Sequence, residues 1–461
     1  VALKQILICG MTALLLGVNS PLALGQSFHQ HPSEKPLIGR PWTEWEQGPR
    51  FADPRPPAPS RLSEDLLWIP RGLLFPLYVT TEYLLRRPLG WLLTTAEKND
   101  WARFFLDLFT FGTDRKIGFF PTAFFHFNFR PSVGLYFFAN DVGIEGHQLR
   151  ASAMFGGERW WQASFTDRWR LWQRDTIDLQ LSFLQRPDFI FHGLGPESLH
   201  EVRTRFLKET SRVQLQYVLN YFRSSHADFR MAFEHHSVDT AQTTGHDPSL
   251  NEGVERGFFP RPNNPPVYNL LRLGTYAFFD NRANHREEGT GISARLNMEY
   301  AHLLTQPARW LTLAPRIAGH LDLGHNRILS LNLFAEHQFR LNSEPIPFSE
   351  LLTPGMEPHI LGGFWPGRLL GASMLGGTLE YRYEVWALLD GTVFFTLGNV
   401  YGENFEGLSL ASLRPSYGIG ICSIGRPDAK FHFLFAFGHK PFSQGAGFDG
   451  AQLMFGYRPN L

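Results

Sequence analysis

From residue 114 to the end of the chain, apolar and polar positions alternate in run after run. Ile177, Leu179, Leu181 and Phe183 alternate with Asp178, Gln180 and Ser182, and Val213, Leu215, Tyr217, Leu219 and Tyr221 with Gln214, Gln216 and Asn220. The same spacing recurs at 292–300, 331–340 and 378–386. A strand turns successive side chains to opposite faces, so each run has one greasy face and one face bearing full charges. A sandwich core would not bury those charges; apolar outside and polar inside is the arrangement of a transmembrane β-barrel. The runs predict about sixteen strands, at 116–128, 131–141, 146–157, 158–170, 174–186, 201–222, 227–238, 267–281, 289–304, 309–323, 327–341, 372–388, 392–401, 412–425, 430–438 and 447–457. The three longest connections, 187–200, 239–266 and 342–371, all follow odd-numbered strands. With a periplasmic N-terminus each opens on the outside, where such barrels keep their long loops. Leu389-Asp390-Gly391 predicts a tight turn, since Asp and Gly tolerate positive φ.

Upstream the pattern differs. Lys4, an apolar run from Ile6 to Val18, and Ala23-Leu24-Gly25 before Gln26 predict a signal peptide over 1–25. Prolines crowd 26–60, which predicts an extended linker. The stretch 62–95 is apolar, but Arg71, Glu82, Arg86 and Arg87, with Pro70, Pro76 and Pro88, argue against a membrane-spanning helix. Short amphipathic helices are expected over 61–113, at the membrane surface or against the barrel mouth, either docking a periplasmic partner through 62–95 or serving only as a packed cap. The barrel is expected over 114–461.

Composition narrows the function classes. Lys plus Arg and Asp plus Glu both total 43, so no basic field points to nucleic acid. A slightly negative mean hydropathy alongside 42 Phe and 12 Trp suits a barrel whose two faces average out. Cys9 and Cys422 make neither a disulfide framework nor a thiolate metal cluster. His235-His236-Ser237 with Asp239 offers the residue types of a hydrolase, but neighbours on a strand face opposite ways. His246 and Asp247 lie nearby without a metalloprotease motif or paired Cys. No catalytic residue, metal or cofactor is therefore assigned, and a non-enzymatic protein is expected. Trp160, Trp161, Trp169 and Trp172 are expected in an interfacial girdle.

Several segments resemble the bacterial surface-antigen superfamily, outer-membrane barrels of the BamA/TamA type. Gly363-Phe364, Glu380-Tyr381-Arg382 and Gly398-Asn399-Val400 match its loop and following strands, Phe191-His192-Gly193-Leu194-Gly195 its Phe-x-Gly-x-Gly, and Asp280-Asn281-Arg282 its Asp-x-Arg. The resemblance implies a barrel of about sixteen strands in the outer membrane of a Gram-negative cell, surrounded by lipid and lipopolysaccharide. It also implies that the loop 342–371 folds into the lumen, and a role in envelope biogenesis or transport; a partner anchor or a passive diffusion pore are the alternatives. The chain departs from the family where a loop arginine is replaced by Gly362 and its acidic partner by Thr396. Arg368 is then the candidate substitute, either reaching Glu380 or Glu384, beside Arg382, or facing lumen water. Gly447, Gly450 and Gly456 are expected to thin a seam between first and last strands. The family's polypeptide-transport-associated domains have no recognisable counterpart in 26–113, which makes general insertase activity doubtful.

Overall fold

The computed structural model describes residues 107–459, apart from 113, 172–174, 223–224, 243–246, 283–288, 325–326, 356–359, 387–388 and 424–428, and before them only positions 83, 87, 91 and 95. The expected signal peptide, the proline-rich linker and most of 61–113 lie outside the described residues; the four isolated positions are helical.

Sixteen antiparallel strands follow one another around a closed barrel. They are β1 (Ile117–His126), β2 (Ser132–Asn140), β3 (Gln148–Phe155), β4 (Trp161–Leu171), β5 (Asp175–Phe191), β6 (Thr204–Phe222), β7 (Ser225–Asp239) and β8 (Val267–Asp280), then β9 (Gly291–Leu303), β10 (Arg309–Asp322), β11 (Arg327–Arg340), β12 (Ser373–Trp386), β13 (Leu389–Tyr401), β14 (Arg414–Ser423), β15 (Ala429–His439) and β16 (Phe448–Pro459). Among the described residues no helix is long and apolar enough to cross a membrane.

Side-chain direction follows the alternation read from the sequence. Leu179, Leu181, Val213, Leu215, Ile292 and Leu331 are exposed on the outer surface, while Asp178, Gln214 and Ser293 are buried on the inner one. An outward band of Leu, Phe and Val is stable only against lipid.

Four expectations need correction. Asp390 and Gly391 are not a turn: they pair with Glu384 and Tyr383, so β13 begins at Leu389. The Tyr383 ring covers Gly391, where a Cβ would come within 2.5 Å of it, and an aromatic across the ladder supplies the packing that a strand glycine lacks. β5 continues past Pro187 to Phe191, because a register shift between Arg186 and Phe189 absorbs the proline. Trp161 and Trp169 point outward, but Trp160 is buried with the Arg186 guanidinium 5.3 Å from its ring centre, so it is not part of a girdle; Trp172 lies outside the described residues. Of the seam glycines, only Gly456 sits in the pairing of β1 with β16. Gly450 faces Trp365 and His200, and Gly447 precedes the strand.

That pairing is short. Met454, Phe455 and Gly456 meet His126, Phe125 and Phe124, extended by one bond from the Phe127 N–H to the Leu453 carbonyl. Gly456 has φ +136°, and a Cβ there would stand 2.4 Å from the Ala123 carbonyl oxygen. Further along, Thr110–Phe111 pairs with Ile117 and Gly118 of β1.

The long-loop end of the barrel is filled. A short helix, α1 (Leu250–Glu255), capped by the Ser249 side chain, packs with Phe191, Phe206, Tyr268, Trp310 and Phe348 into one core. A second core joins Phe334, Met374 and Val400 of the wall to Leu361, Phe364 and Leu369 of the 342–371 loop.

Candidate functional site in the barrel lumen

The 342–371 loop enters the barrel and is tied to two regions of its wall. Its first half carries Glu350, just after Phe348 and Ser349 on a short 3-10 turn. The Glu350 Oε1 accepts from Lys208 Nζ at 2.9 Å and Tyr268 Oη at 2.5 Å, and Oε2 accepts from Arg272. Behind it, Arg272 also donates to Glu234 (3.0 Å) and Glu299 (2.5 Å). Glu234 in turn holds Arg212 (3.1 Å) and His236 Nε2 (2.8 Å). Burial pushes the Glu350 carboxyl up, but Lys208, His236 and Arg272 outweigh it and hold the group below the usual carboxylate range. Glu234, His236 and Glu350 place ligand-type atoms within 4.8 Å of one another, yet Lys208, Arg212 and Arg272 already answer those carboxylates, which is ion-pair rather than metal chemistry.

The second half of the loop carries Arg368. It is buried and forks onto Asp449 of β16, with Nη2 donating at 2.8 and 3.0 Å, while Nη1 donates to Ser198 Oγ at 2.9 Å. Asp449 also accepts from Arg414 Nη1 at 2.9 Å, and Arg414 Nη2 donates to the Pro196 carbonyl at 2.9 Å. The 192–203 connection therefore crosses the barrel mouth above the inner loop, and the Gly195 N–H donates to the Leu370 carbonyl at 2.8 Å. Burial and the nearby Arg368 charge depress the His192 imidazole well below its ordinary value. The expected Arg368 partners, Glu380 and Glu384, are thus replaced by Asp449. Glu380 accepts from Thr392 at 3.0 Å instead, and Arg382 lies 3.8 Å from Asp390.

Between these anchors the glycines set the approach. The Gly363 N–H donates to Ser416 Oγ at 2.9 Å, and a Cβ on Gly363 would stand 2.1 Å from the Phe437 carbonyl oxygen. Only glycine lets the loop backbone lie directly on β15. Thr396, where the family's acidic residue was expected, is buried against Thr378 at 2.9 Å. With its amide nitrogen turned to the loop, Gln452 of β16 donates to the Phe364 (2.6 Å) and Gly362 (3.1 Å) carbonyls, and its oxygen accepts from His126 Nε2 of β1 (3.3 Å). Loop tip and seam therefore share one side chain.

Towards the short-turn end the lumen is polar. A cavity of about 330 Å³ is lined by Arg150, Arg168, Arg212 and Arg230 with Gln180 and Gln214, and one of about 140 Å³ by Arg282, Arg295, Arg316 and Arg382, closed by Ile360 of the loop. Asp280 and Arg282, singled out in the sequence, form a buried forked pair at 2.6–3.1 Å. His235 and His236 face opposite sides, bonding Asn269 and Glu234 respectively, and Asp247 is taken by Arg203 and Arg205.

No family model and no curated protein matches the chain. Among solved structures it is similar to the crystal structure of BamA from Haemophilus ducreyi lacking POTRA domains 1–3, with a TM-score of 0.50, 11% identity and coverage of 74% of this chain and 70% of that one. It is also similar to CdiB from Acinetobacter baumannii, with a TM-score of 0.46, 9% identity and coverage of 74% and 59%. What this chain shares with the BamA structure is the fold, a closed antiparallel β-barrel.

Proposed function

We propose that this chain is a non-enzymatic outer-membrane barrel that serves envelope biogenesis or the transport of protein or lipid across or into that membrane, its lumen gated by the 342–371 loop and its N-terminal region in the periplasm. The observation that carries this reading is the loop's double attachment, through Glu350 to the β6–β9 wall and through Arg368 to the β14–β16 wall. A loop that merely lined a pore would not need two buried ionic anchors, a glycine-on-strand approach and a side chain shared with the seam. The short β1–β16 pairing adds an edge able to part at modest cost. A passive pore is disfavoured by the packed long-loop end; an anchoring role through 62–95 is tested by partner pull-down with and without that stretch.

Planar-bilayer conductance tests the gating. The intact protein is expected to be nearly silent, and deletion of 343–370 to open a large current. A large steady current from the intact protein, unchanged by the deletion, would overturn the reading.

A further inference from the structure

The wall around Glu350 is one negative charge short without the loop. With the His236 imidazole, which bonds Glu234, set aside, Lys208, Arg212 and Arg272 bring three positive charges, and Glu234 and Glu299 return two negative ones. Glu350 closes the balance from a different part of the chain, its oxygens held by the ammonium, the guanidinium and the Tyr268 hydroxyl. Every donor in this cradle belongs to the barrel strands, so the receptor persists when the loop leaves. A buried cation left without its counter-charge is costly, so the empty cradle has a strong demand for one anion. The larger arginine-rich cavity at the short-turn end lies next to it: Arg212, ion-paired to Glu234 beside the cradle, lines that cavity.

We propose that Lys208, Tyr268 and Arg272 form a carboxylate-binding site, filled by the loop's own Glu350 in the closed barrel and open to an external carboxylate that enters through the arginine-lined cavity and displaces it. A monoanionic carboxylate is the fitting class, because it restores neutrality and reproduces both acceptor oxygens; a phosphate dianion overshoots by one charge. The binding site stands on the cradle geometry alone, whereas release of the loop rests on the gating reading above.

The test is chemical rescue of the full-length protein in lipid nanodiscs at pH 8. Thermal unfolding of Glu350→Ala is compared in sodium acetate, sodium phosphate and sodium chloride at equal ionic strength. Acetate is expected to raise the midpoint by a few degrees over chloride, and more than phosphate, by mass action on the vacated site; wild type and Glu350→Ala/Lys208→Met should show no such gain. Equal midpoints in acetate and chloride overturn the site. Should Glu350→Ala not fold, hydrogen exchange at 349–352 of wild type decides: faster exchange in acetate than in chloride supports displacement, and unchanged exchange overturns it. Two carboxylate sources are then separated by wild-type conductance in N-acetylglutamate methylamide, a peptide-like acid, and in galacturonate, a sugar acid. Current induced by either names the source; rescue by acetate without current from either keeps the site and overturns loop release.

Discussion

On one side of the barrel β5, β6 and β7 run for 17, 19 and 15 residues and pair along almost their whole length. On the other, β16 meets β1 only from Met454 to Gly456. The inner loop is bound to both. Its hold on the long wall is a carboxylate set among several cations; its hold on the side next to the seam is an arginine on one carboxylate that already serves Arg414. Without Glu350 the long wall is short of one charge but Arg272 still faces Glu234 and Glu299, whereas without Asp449 both Arg368 and Arg414 lose the carboxylate they share. The longer ladder thus goes with the anchor whose loss is the better cushioned, and the shorter one with the anchor whose loss strands two arginines.

The comparison breaks most sharply at Asp449. Asp449→Asn leaves Arg368 and Arg414 both buried with no carboxylate, and should cost about 3–5 kcal/mol, read as a lower unfolding midpoint in nanodiscs and a rise in bilayer conductance. Glu350→Gln should cost less, about 1.5–3 kcal/mol, because Glu234 and Glu299 still face Arg272. If the two variants are equally destabilised, the inequality of the anchors is wrong.

Paired glycine substitutions sharpen it further. Gly456→Ala places a Cβ 2.4 Å from the Ala123 carbonyl at φ +136° and should cost about 1–3 kcal/mol. Gly274→Ala on β8, whose nearest neighbour stands at 3.6 Å, should change stability by less than about 0.5 kcal/mol. Denaturant midpoints of the two variants check this.

The smallest effect is one of pH. Burial and then Arg368 hold the folded His192 pKa below its ordinary 6.5. The unfolded chain therefore takes up the proton first as pH falls, so the His192 contribution is complete above about pH 6.5 and declines below it, by about 1.4 kcal/mol per unit of pKa difference. Glu350, held below its ordinary 4.5, acts in the same sense only at lower pH. His192→Asn should flatten the unfolding midpoint between pH 5 and 7 while leaving the acid limb.

The strands were legible because lipid on one side and water on the other impose a period of two on every run, and the parity of the long connections followed from strand direction alone. The lumen was not. Arg368 and Asp449 lie 81 residues apart, and nothing local marks Asp449 as a partner, since its neighbours read as another glycine-rich strand start. Nothing in the sequence of the loop sets Glu350 apart; its importance comes from Lys208, Tyr268 and Arg272 on two distant strands. Asp390-Gly391 misled because local turn chemistry was outvoted by the ladder and by the Tyr383 ring.

The seat of Arg368 is supplied by the last strand of the barrel, whereas every wall partner of Glu350 precedes it in the chain. The hook at Glu350 needs only strands that come before it in the chain to be paired, but the clasp at Arg368 needs the C-terminal strand in place. A barrel lacking its last strand would hold a half-fastened plug, so a completed latch marks a cylinder that has closed.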